Sequence, residues 1–438
     1  MFKNILFILT ILIPATNSFS VIVEEKRLVG AKLKIDELLQ IAKNQNPELK
    51  AARAEIDAAI SAIKPSGALE DPMLTIEAMS MPVNDLRLNQ SEMSGLKVGI
   101  SQKIPFPGKL PLMENLSKTQ SSLAEAQLRI KELEIIRNIK KTYYELYLSY
   151  QKQEILENQR TLLQQVLTSS RTQYTLNKIP QAAILNLQLE EANLIDEGLQ
   201  IASRIKDQQF ELAHLLGHSH KNTQGRPTII KRTKLNFTNL SEDRIRNAIS
   251  SSNPEIQAIK LELDAGSEKI SLAERSYYPD FELMANYTFR QAVHTEMARS
   301  DGQDLVGFGI GFSLPIWAGQ KQSEEVKGAI ADKSKASAKF EQTVLKITHE
   351  ALATFARLIE IQRRIDLFEN GLLHLTKQAV ASGITSYLAG TFNQTSVVEA
   401  LRTQQNTSYS YQEALANFEI QLAELEALIG KNLESGSL

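Results

Sequence analysis

The chain has 438 residues, a formal net charge of -2 and no cysteine. Near-neutrality leaves no polyanion-binding surface, so nucleic acid is not an expected partner. The missing thiols exclude disulfides, thiolate metal sites, a cysteine nucleophile and a lipid-modified cysteine terminus. Only 20 glycines and 13 prolines punctuate long tracts rich in Ala, Leu, Gln, Glu and Lys, so most of the chain is expected to be helical.

Residues 1–20 carry Lys3, an apolar run around Ile5–Pro14 and the small residues Ser18 and Ser20, which are the three regions of a secretory signal peptide. That run is too short to cross a bilayer as a helix, and no later stretch reaches ~18 uninterrupted apolar residues. The mature chain is therefore expected to be periplasmic, secreted, or embedded in a membrane through strands.

Next comes Asn46-Pro47-Glu48-Leu49-Lys50-Ala51, with Asn before Pro as a helix-start signal. It recurs as Asn253-Pro254-Glu255-Ile256-Gln257-Ala258, about 210 residues downstream. Ile104-Pro105-Phe106 recurs as Leu314-Pro315-Ile316, Tyr174 as Tyr387, and Leu216-Gly217 as Ile429-Gly430, all at nearly the same offset. Two tandem copies, 21–225 and 226–438, are expected, each reading as short helix, strand, loop, strand, very long helix, turn and second long helix.

The strands fall at about 72–79 and 95–104 in the first copy and about 280–290 and 305–315 in the second. Leu74, Ile76 and Ala78 alternate with Met73, Thr75 and Glu77; Leu96, Val98 and Ile100 alternate with Lys97, Gly99 and Ser101. Phe281, Leu283, Ala285, Tyr287 and Phe289 alternate with Glu282, Met284, Asn286, Thr288 and Arg290. In Leu305–Pro315, Val306, Phe308, Ile310, Phe312 and Leu314 alternate with Gly307, Gly309, Gly311 and Ser313. A phosphate-binding loop would need its glycines at a turn inside a βαβ unit, whereas here every intervening residue is bulky and apolar. Four strands cannot close a barrel or stand as open edges in lipid, so closure requires other subunits.

Long helices are expected over about 109–172 and 180–217, and again over 318–386 and 393–430. Leu358, Ile361, Ile365, Phe368, Leu372, Leu375 and Ala379 keep a heptad-like spacing; Leu128, Ile135, Ile139, Tyr143, Leu146 and Tyr150 follow it more loosely. Sixty-odd helical residues make a rod of roughly 90–100 Å. The rods turn at Tyr174-Thr-Leu-Asn177-Lys178 and Tyr387-Leu-Ala-Gly390-Thr391, where Asn177 and Gly390 tolerate the positive φ of a helical hairpin. Between the copies, Gln224–Phe237 carries Lys231, Arg232 and Lys234, read as a solvated linker.

The duplicated frame, IPFPGKL at Ile104–Leu110, Tyr-Tyr-Pro-Asp at Tyr277–Asp280 and FSLPIWAGQ at Phe312–Gln320 resemble the TolC-like outer-membrane efflux proteins. Within them the chain is most similar to the CzcC-like (cobalt–zinc–cadmium and copper–silver) heavy-metal branch. The resemblance implies a mainly α fold with a small transmembrane β part. It implies a homotrimer whose twelve strands, four per subunit, form one barrel continued by a periplasmic helical tunnel. It further implies a passive duct in the outer membrane, joined through a periplasmic adaptor to an inner-membrane pump of the resistance-nodulation-division type. On that reading Gly307, Gly309, Gly311 and Ser313 face the lumen, Phe308, Ile310 and Phe312 face lipid, and Phe106 and Trp317 lie near the lower interface. The tip residues Tyr174, Asn177, Lys178, Tyr387, Gly390 and Thr391 become adaptor-docking structure.

The family's gate is a ring of carboxylates near the tip. Counting from Gly390, its positions fall on Ser396 and Glu399, and the place matching the former in the first copy is Ala183, so the sequence departs from an aspartate ring. No catalytic constellation is expected: His349-Glu350 lacks the second histidine of a zincin, because Ala353 stands in its place. No cofactor is expected either. His214, His218 and His220 are the only weak metal candidates, and histidines at a helix end also suit the helix dipole. The alternative class is a soluble periplasmic coiled-coil adaptor or scaffold, in which the strands make a small domain.

Overall fold

The computed structural model describes residues 32–81, 83, 87–89, 91–217, 225–228, 233, 241–294, 299–389 and 393–433. The segment read as a signal peptide lies outside these residues. β1 (Lys32–Leu33) leads into α1 (Ile35–Gln45) and α2 (Pro47–Ser66), then β2 (Met73–Met79), β3 (Gly95–Ile104) and the long hairpin α3 (Lys109–Thr175) and α4 (Gln181–Leu216). After the short β4 (Arg226–Pro227) the order runs again: α5 (Glu242–Ser252), α6 (Pro254–Arg275), β5 (Phe281–Phe289), the small hairpin β6 (Val293–His294) and β7 (Arg299–Ser300), and β8 (Leu305–Phe312). The second hairpin descends through α7 (Gln322–Leu367), a π-helical turn (Phe368–Leu372) and α8 (Leu373–Leu388), and returns through α9 (Gln394–Ile429). The fold is mainly α with a small β part.

Both Asn-Pro motifs form the same joint. Asn46 Oδ1 accepts from the backbone N–H of Glu48 and Leu49 at 2.8 and 3.2 Å, capping α2, while Pro47 fills the first helical position, where no N–H is needed. Its Nδ2 donates to the carbonyl of Leu215, 2.8 Å away, one of the carbonyls that the end of α4 leaves without an intrahelical partner. Asn253 repeats every contact, accepting from Glu255 and Ile256 and donating to Leu428 at the end of α9, again at 2.8 Å. Gly217 and Gly430 close α4 and α9 at φ +70 and +83, and they pack against these joints. A Cβ on Gly217 would sit 2.7 Å from Pro47 Cδ, and one on Gly430 2.5 Å from the carbonyl oxygen of Ser252.

The four main strands form one antiparallel sheet in the order β2-β3-β5-β8. The two copies meet at the β3–β5 pairing and at the sheet's base. There Asp280 Oδ1 accepts from the Phe106 N–H and from Lys109 Nζ, both at 2.7 Å, and Phe106 stacks on Tyr278 with centroids 4.5 Å apart. Phe106, expected at a membrane interface, is half-buried in this stack. Trp317 is exposed. Two pairings were not foreseen from sequence, because two-residue strands leave no periodicity: β6 with β7, and the parallel β1 with β4. Buried Tyr143 anchors the latter, its hydroxyl lying 3.1 Å from the Leu33 carbonyl and 2.8 Å from Thr228 Oγ1.

Below the sheet α3 packs on α4 and on α9, and α9 packs on α7 and α8. One apolar cluster runs through Ile139, Leu146, Leu187 and Leu212, another through Leu358, Phe418, Leu422 and Leu425. Between α3 and α9, Lys140 Nζ meets Glu426 Oε2 at 2.7 Å with both side chains about nine-tenths buried.

The second descending helix departs from the expected heptad. Leu358, Ile365 and Phe368 are buried as that spacing requires, but Leu375 is 60% exposed, and the residues that pack inward below it are Val380, Gly383 and Tyr387. The π turn at Phe368–Leu372 explains the change: it holds one extra residue, which rotates everything beyond it by about 100°. Phe368 marks the pivot, packing edge-on to Tyr411.

Asn46→Ala and Asn253→Ala should each cost about 2–3 kcal/mol, the sum of a lost cap and an unsatisfied buried carbonyl, read from denaturant unfolding. Asp at either site should lose at least as much, since it keeps the cap but sets a buried carboxylate oxygen against the carbonyl of Leu215 or Leu428. Deleting Gly371 should convert the π turn to regular helix and rotate Tyr387 outward, so that Tyr387, protected in the parent, becomes nitrated by tetranitromethane.

Candidate channel wall and helical tip

Strand register fixes two unlike faces. Leu74, Ile100, Ala285 and Phe308 form one row across the sheet, and Ile76, Val98, Tyr287 and Val306 the next, because directly paired residues share a face. Phe308 is 84% exposed and Leu74, Ile76, Ile310 and Phe312 are all more than half exposed, so an apolar surface spans the sheet without a covering layer. The opposite rows read Glu77, Lys97, Thr288 and Leu305, then Thr75, Gly99, Asn286 and Gly307, then Met73, Ser101, Met284 and Gly309. Charge on this face is locally compensated: Lys97 Nζ lies 3.7 Å from Glu77 Oε2.

The glycines do more than thin the wall. A Cβ on Gly307 would fall 2.8 Å from Asn286 Oδ1, while those on Gly309 and Gly311 would meet Met284 Cε at 3.5 and 3.6 Å. They make room for side chains of β5 that lie across β8. Ser313, grouped with them by alternation, stands one residue beyond the strand. Its Oγ accepts from the Asp280 N–H at 2.8 Å and its N–H donates to the Asp280 carbonyl at 3.0 Å, so it clasps the end of the sheet.

At the first hairpin tip Asn177 takes φ +58 and its N–H donates to the Tyr174 carbonyl at 2.8 Å, while the Lys178 N–H reaches the Gln173 carbonyl at 2.9 Å. Tyr174, Asn177 and Lys178 are exposed. Tyr387 is not: although it matches Tyr174 in sequence it is only 2% exposed, with its hydroxyl 2.6 Å from Ser170 Oγ and its carbonyl accepting from Gln173. This corrects its assignment as a docking residue. It is a strut between the hairpins, turned inward by the π turn above it. Gly390 and Thr391 lie outside the described residues.

Ser396 and Glu399, expected from the resemblance to be gate positions, sit on the first turns of α9. Ser396 donates its backbone N–H to the capping Asn393 Oδ1 at 2.9 Å, and Glu399 is exposed. One turn on, sequence reasoning missed a charged pair: Arg402 of α9 grips buried Glu190 of α4 through both nitrogens of its fork, Nε to Oε1 at 2.8 Å and Nη2 to Oε2. Hydrogen bonding to Glu190, then its charge and that of Glu399, raise the Arg402 pKa above its ordinary value. Gln405 extends the contact to Glu197 at 2.9 Å. Residues some two hundred positions apart carry no local signal of such pairing. His214 lies in the last turn of α4, whereas His218 and His220 fall outside the described residues. Among the described residues no three His, Asp or Glu side chains are grouped to hold a metal ion.

A profile of the family described as outer membrane efflux protein matches residues 38–218 and 245–431. The chain belongs to that family. The two matched segments of this efflux protein each carry one helix–strand–strand–hairpin set. The outer-membrane channel CmeC of Campylobacter jejuni superposes with a TM-score of 0.77 at 14% identity, over 92% of this chain and 87% of that one. The outer-membrane protein VceC of Vibrio cholerae gives 0.74 at 18%, over 91% and 96%. In sequence, the multidrug resistance outer membrane protein MdtP of Shigella flexneri is 19% identical over 276 residues. That match covers 61% of this chain and 55% of MdtP, so the chain spans little more than half the length of that curated relative. The fold is that of these outer-membrane proteins.

Because Glu190 is buried and Arg402 is largely solvated, the two halves of their pair are unequal. Arg402→Gln should strand a buried carboxylate and cost on the order of 1–3 kcal/mol, whereas Glu190→Gln, leaving the guanidinium in water, should cost less; thermal unfolding of the two variants side by side checks the order.

Proposed function

We propose that three copies of this chain form the outer-membrane exit duct of a tripartite efflux system, with the four strands of each copy closing a twelve-stranded barrel above a periplasmic tunnel of helices. The observation that carries this reading is the open sheet. The outer edges of β2 and β8 have no partner within the chain among the described residues, yet one whole face is apolar and uncovered. Lipid suits that face, and only closure with further strands satisfies the edges. Exposed Leu185, Leu189, Leu199 and Phe210 on α4, and Leu345 and Leu367 on α7, lie at the two flanks of the helical layer, where neighbouring copies would cover them.

In this assembly Gly307, Gly309 and Gly311, with Asn286 and Met284, line the water-filled lumen, and Phe308, Ile310 and Phe312 contact lipid. Tyr174, Asn177 and Lys178 are the tip surface for a periplasmic adaptor, which couples the duct to an inner-membrane pump of the resistance-nodulation-division type. Residues 1–20 direct export. Glu399, beside the Arg402–Glu190 pair, is the gate candidate. The cargo is heavy-metal cations or other small toxic compounds: the quoted resemblance supports the former, and MdtP, a multidrug resistance protein by name, the latter.

Detergent-extracted protein should run as a heat-modifiable trimer and open pores in planar bilayers. A species fully soluble in aqueous buffer as a monomer would overturn the reading in favour of a periplasmic scaffold. Gly309→Glu should change single-channel conductance, and Phe308→Arg should impair insertion by about 2–4 kcal/mol if it lies near the bilayer midplane.

A further inference from the structure

We propose that Asp71 and Leu69 form the acceptor half of a second clasp, made between subunits, which receives Ile316 of the partner subunit and fixes the seam between β8 and β2 in one register. The closing of a barrel rests on the exit-duct reading; the register and the clasp are drawn from the duplication inside the chain. Ile104-Pro105 recurs as Leu314-Pro315, so Ser101 of β3 matches Gly311 of β8. Ser101 pairs with Met73 and Gly311 with Glu282, so the first strands match as Met73 to Glu282, Asp71 to Asp280 and Leu69 to Tyr278. Within the chain β3 already pairs with β5 across the boundary between the internal copies. The counterpart of that pairing is β8 of one subunit against β2 of the next, the two edges left without a partner among the described residues. Carrying the β3–β5 register across sets Phe308 opposite Ala78, Ile310 opposite Ile76 and Phe312 opposite Leu74 on the apolar face. On the other face it sets Gly309 opposite Glu77 and Gly311 opposite Thr75. A slip of one residue would lay each apolar row against a polar one, so only slips of two remain to be excluded.

The base of the seam excludes them. Inside the chain, Asp280 accepts from the Phe106 N–H and from Lys109, and Phe106 stacks on Tyr278. The residue that matches Phe106 is Ile316, and Lys321, just before α7, answers to Lys109 at the start of α3. Asp71 is exposed, and its carboxylate has no hydrogen bond or ion pair among the described residues; the Lys321 ammonium is likewise exposed and unpaired. Leu69 is 48% exposed and Ile316 73% exposed, apolar surface that the single chain leaves in water. The Ile316 N–H closes a three-residue turn on the Leu314 carbonyl at 2.9 Å. An ionised carboxylate is the stronger acceptor and takes that N–H over at the seam. The same segment is therefore half-buried at Phe106 in the first internal copy and bare at Ile316 in the second, because the second acceptor lies on another subunit.

The test is disulfide trapping on the full chain in detergent, with copper phenanthroline as oxidant, and the lack of any native cysteine keeps it clean. Directly paired Cα atoms lie about 4.5–5.5 Å apart, within disulfide range, whereas diagonal neighbours lie about 7–8 Å apart. A Cβ on Gly309 meets only Met284, at 3.5 Å or more, so Cys fits there. The Glu77→Cys/Gly309→Cys variant should form a covalent ladder that ends at three chains, several-fold faster than Thr75→Cys/Gly309→Cys or Met79→Cys/Gly309→Cys. Asp71→Ala should lower the temperature at which the trimer dissociates on a semi-native gel by several degrees. Glu70→Ala, at an adjacent carboxylate whose side chain is 72% exposed, should leave it unchanged. Faster trapping of either shifted pair in an intact trimer would overturn the register, and parental heat stability in Asp71→Ala would overturn the clasp; the duct reading survives both results. A parent that is monomeric in detergent refutes the duct reading and the seam with it. A ladder that runs past three keeps the register and refutes the closed trimer.

Discussion

The structure depends on a joint made twice, in which an asparagine that starts one helix also finishes another. A helix of 36 residues such as α4 or α9 ends in carbonyls that its own backbone cannot satisfy. Supplying one of them from the Nδ2 of a buried N-cap ties the top of each return helix to a fixed point in the short helix pair of its own copy. The glycine beyond each helix end is required for two reasons at once, its left-handed backbone and the absence of room for a Cβ. Since each joint lies at the opposite end of its hairpin from the tip, each hairpin is held at one end and left long.

The sheet imposes a second constraint of a different kind. Four strands with one apolar and one polar face are complete in register and incomplete in partners. Pairing across β3 and β5 fuses the two copies into a single surface, so neither copy could present its strands alone. The Asp280 clasp, reaching Phe106 and Lys109 of one copy from the other, fixes how that surface sits on the helices beneath it. The charge pairs Lys140–Glu426 and Arg402–Glu190 repeat the theme lower down, again joining residues of different copies.

Much of this was readable from residues because the signals were local. Asn before Pro, glycine after a long helix, and alternation over eight residues each specify backbone geometry within a few positions, and Asn177 took the positive φ its type allows. What escaped was of three kinds. Two-residue strands such as β1 and β4 are too short to show a period. The Arg402–Glu190 pair joins distant segments. The π turn breaks a heptad that looks unbroken, because helices are read by counting and one inserted residue changes the count without leaving a mark; Leu375 and Tyr387 consequently exchanged roles. The end of β8 was placed late for a similar reason, since the alternation runs on through Ser313 and Leu314 after the strand stops at Phe312.

That single inserted turn also makes the two hairpins unlike at their tips. Above Phe368 the two copies repeat one order of elements, a short helix pair, a strand pair and a descending helix. Below it the second hairpin is turned on its axis while the first runs on, with Tyr174 facing outward and Tyr387 facing inward. A ring built from three such chains would have three pairs of unlike positions at its foot. A partner meeting that foot would find two alternating addresses, and its own stoichiometry could follow either.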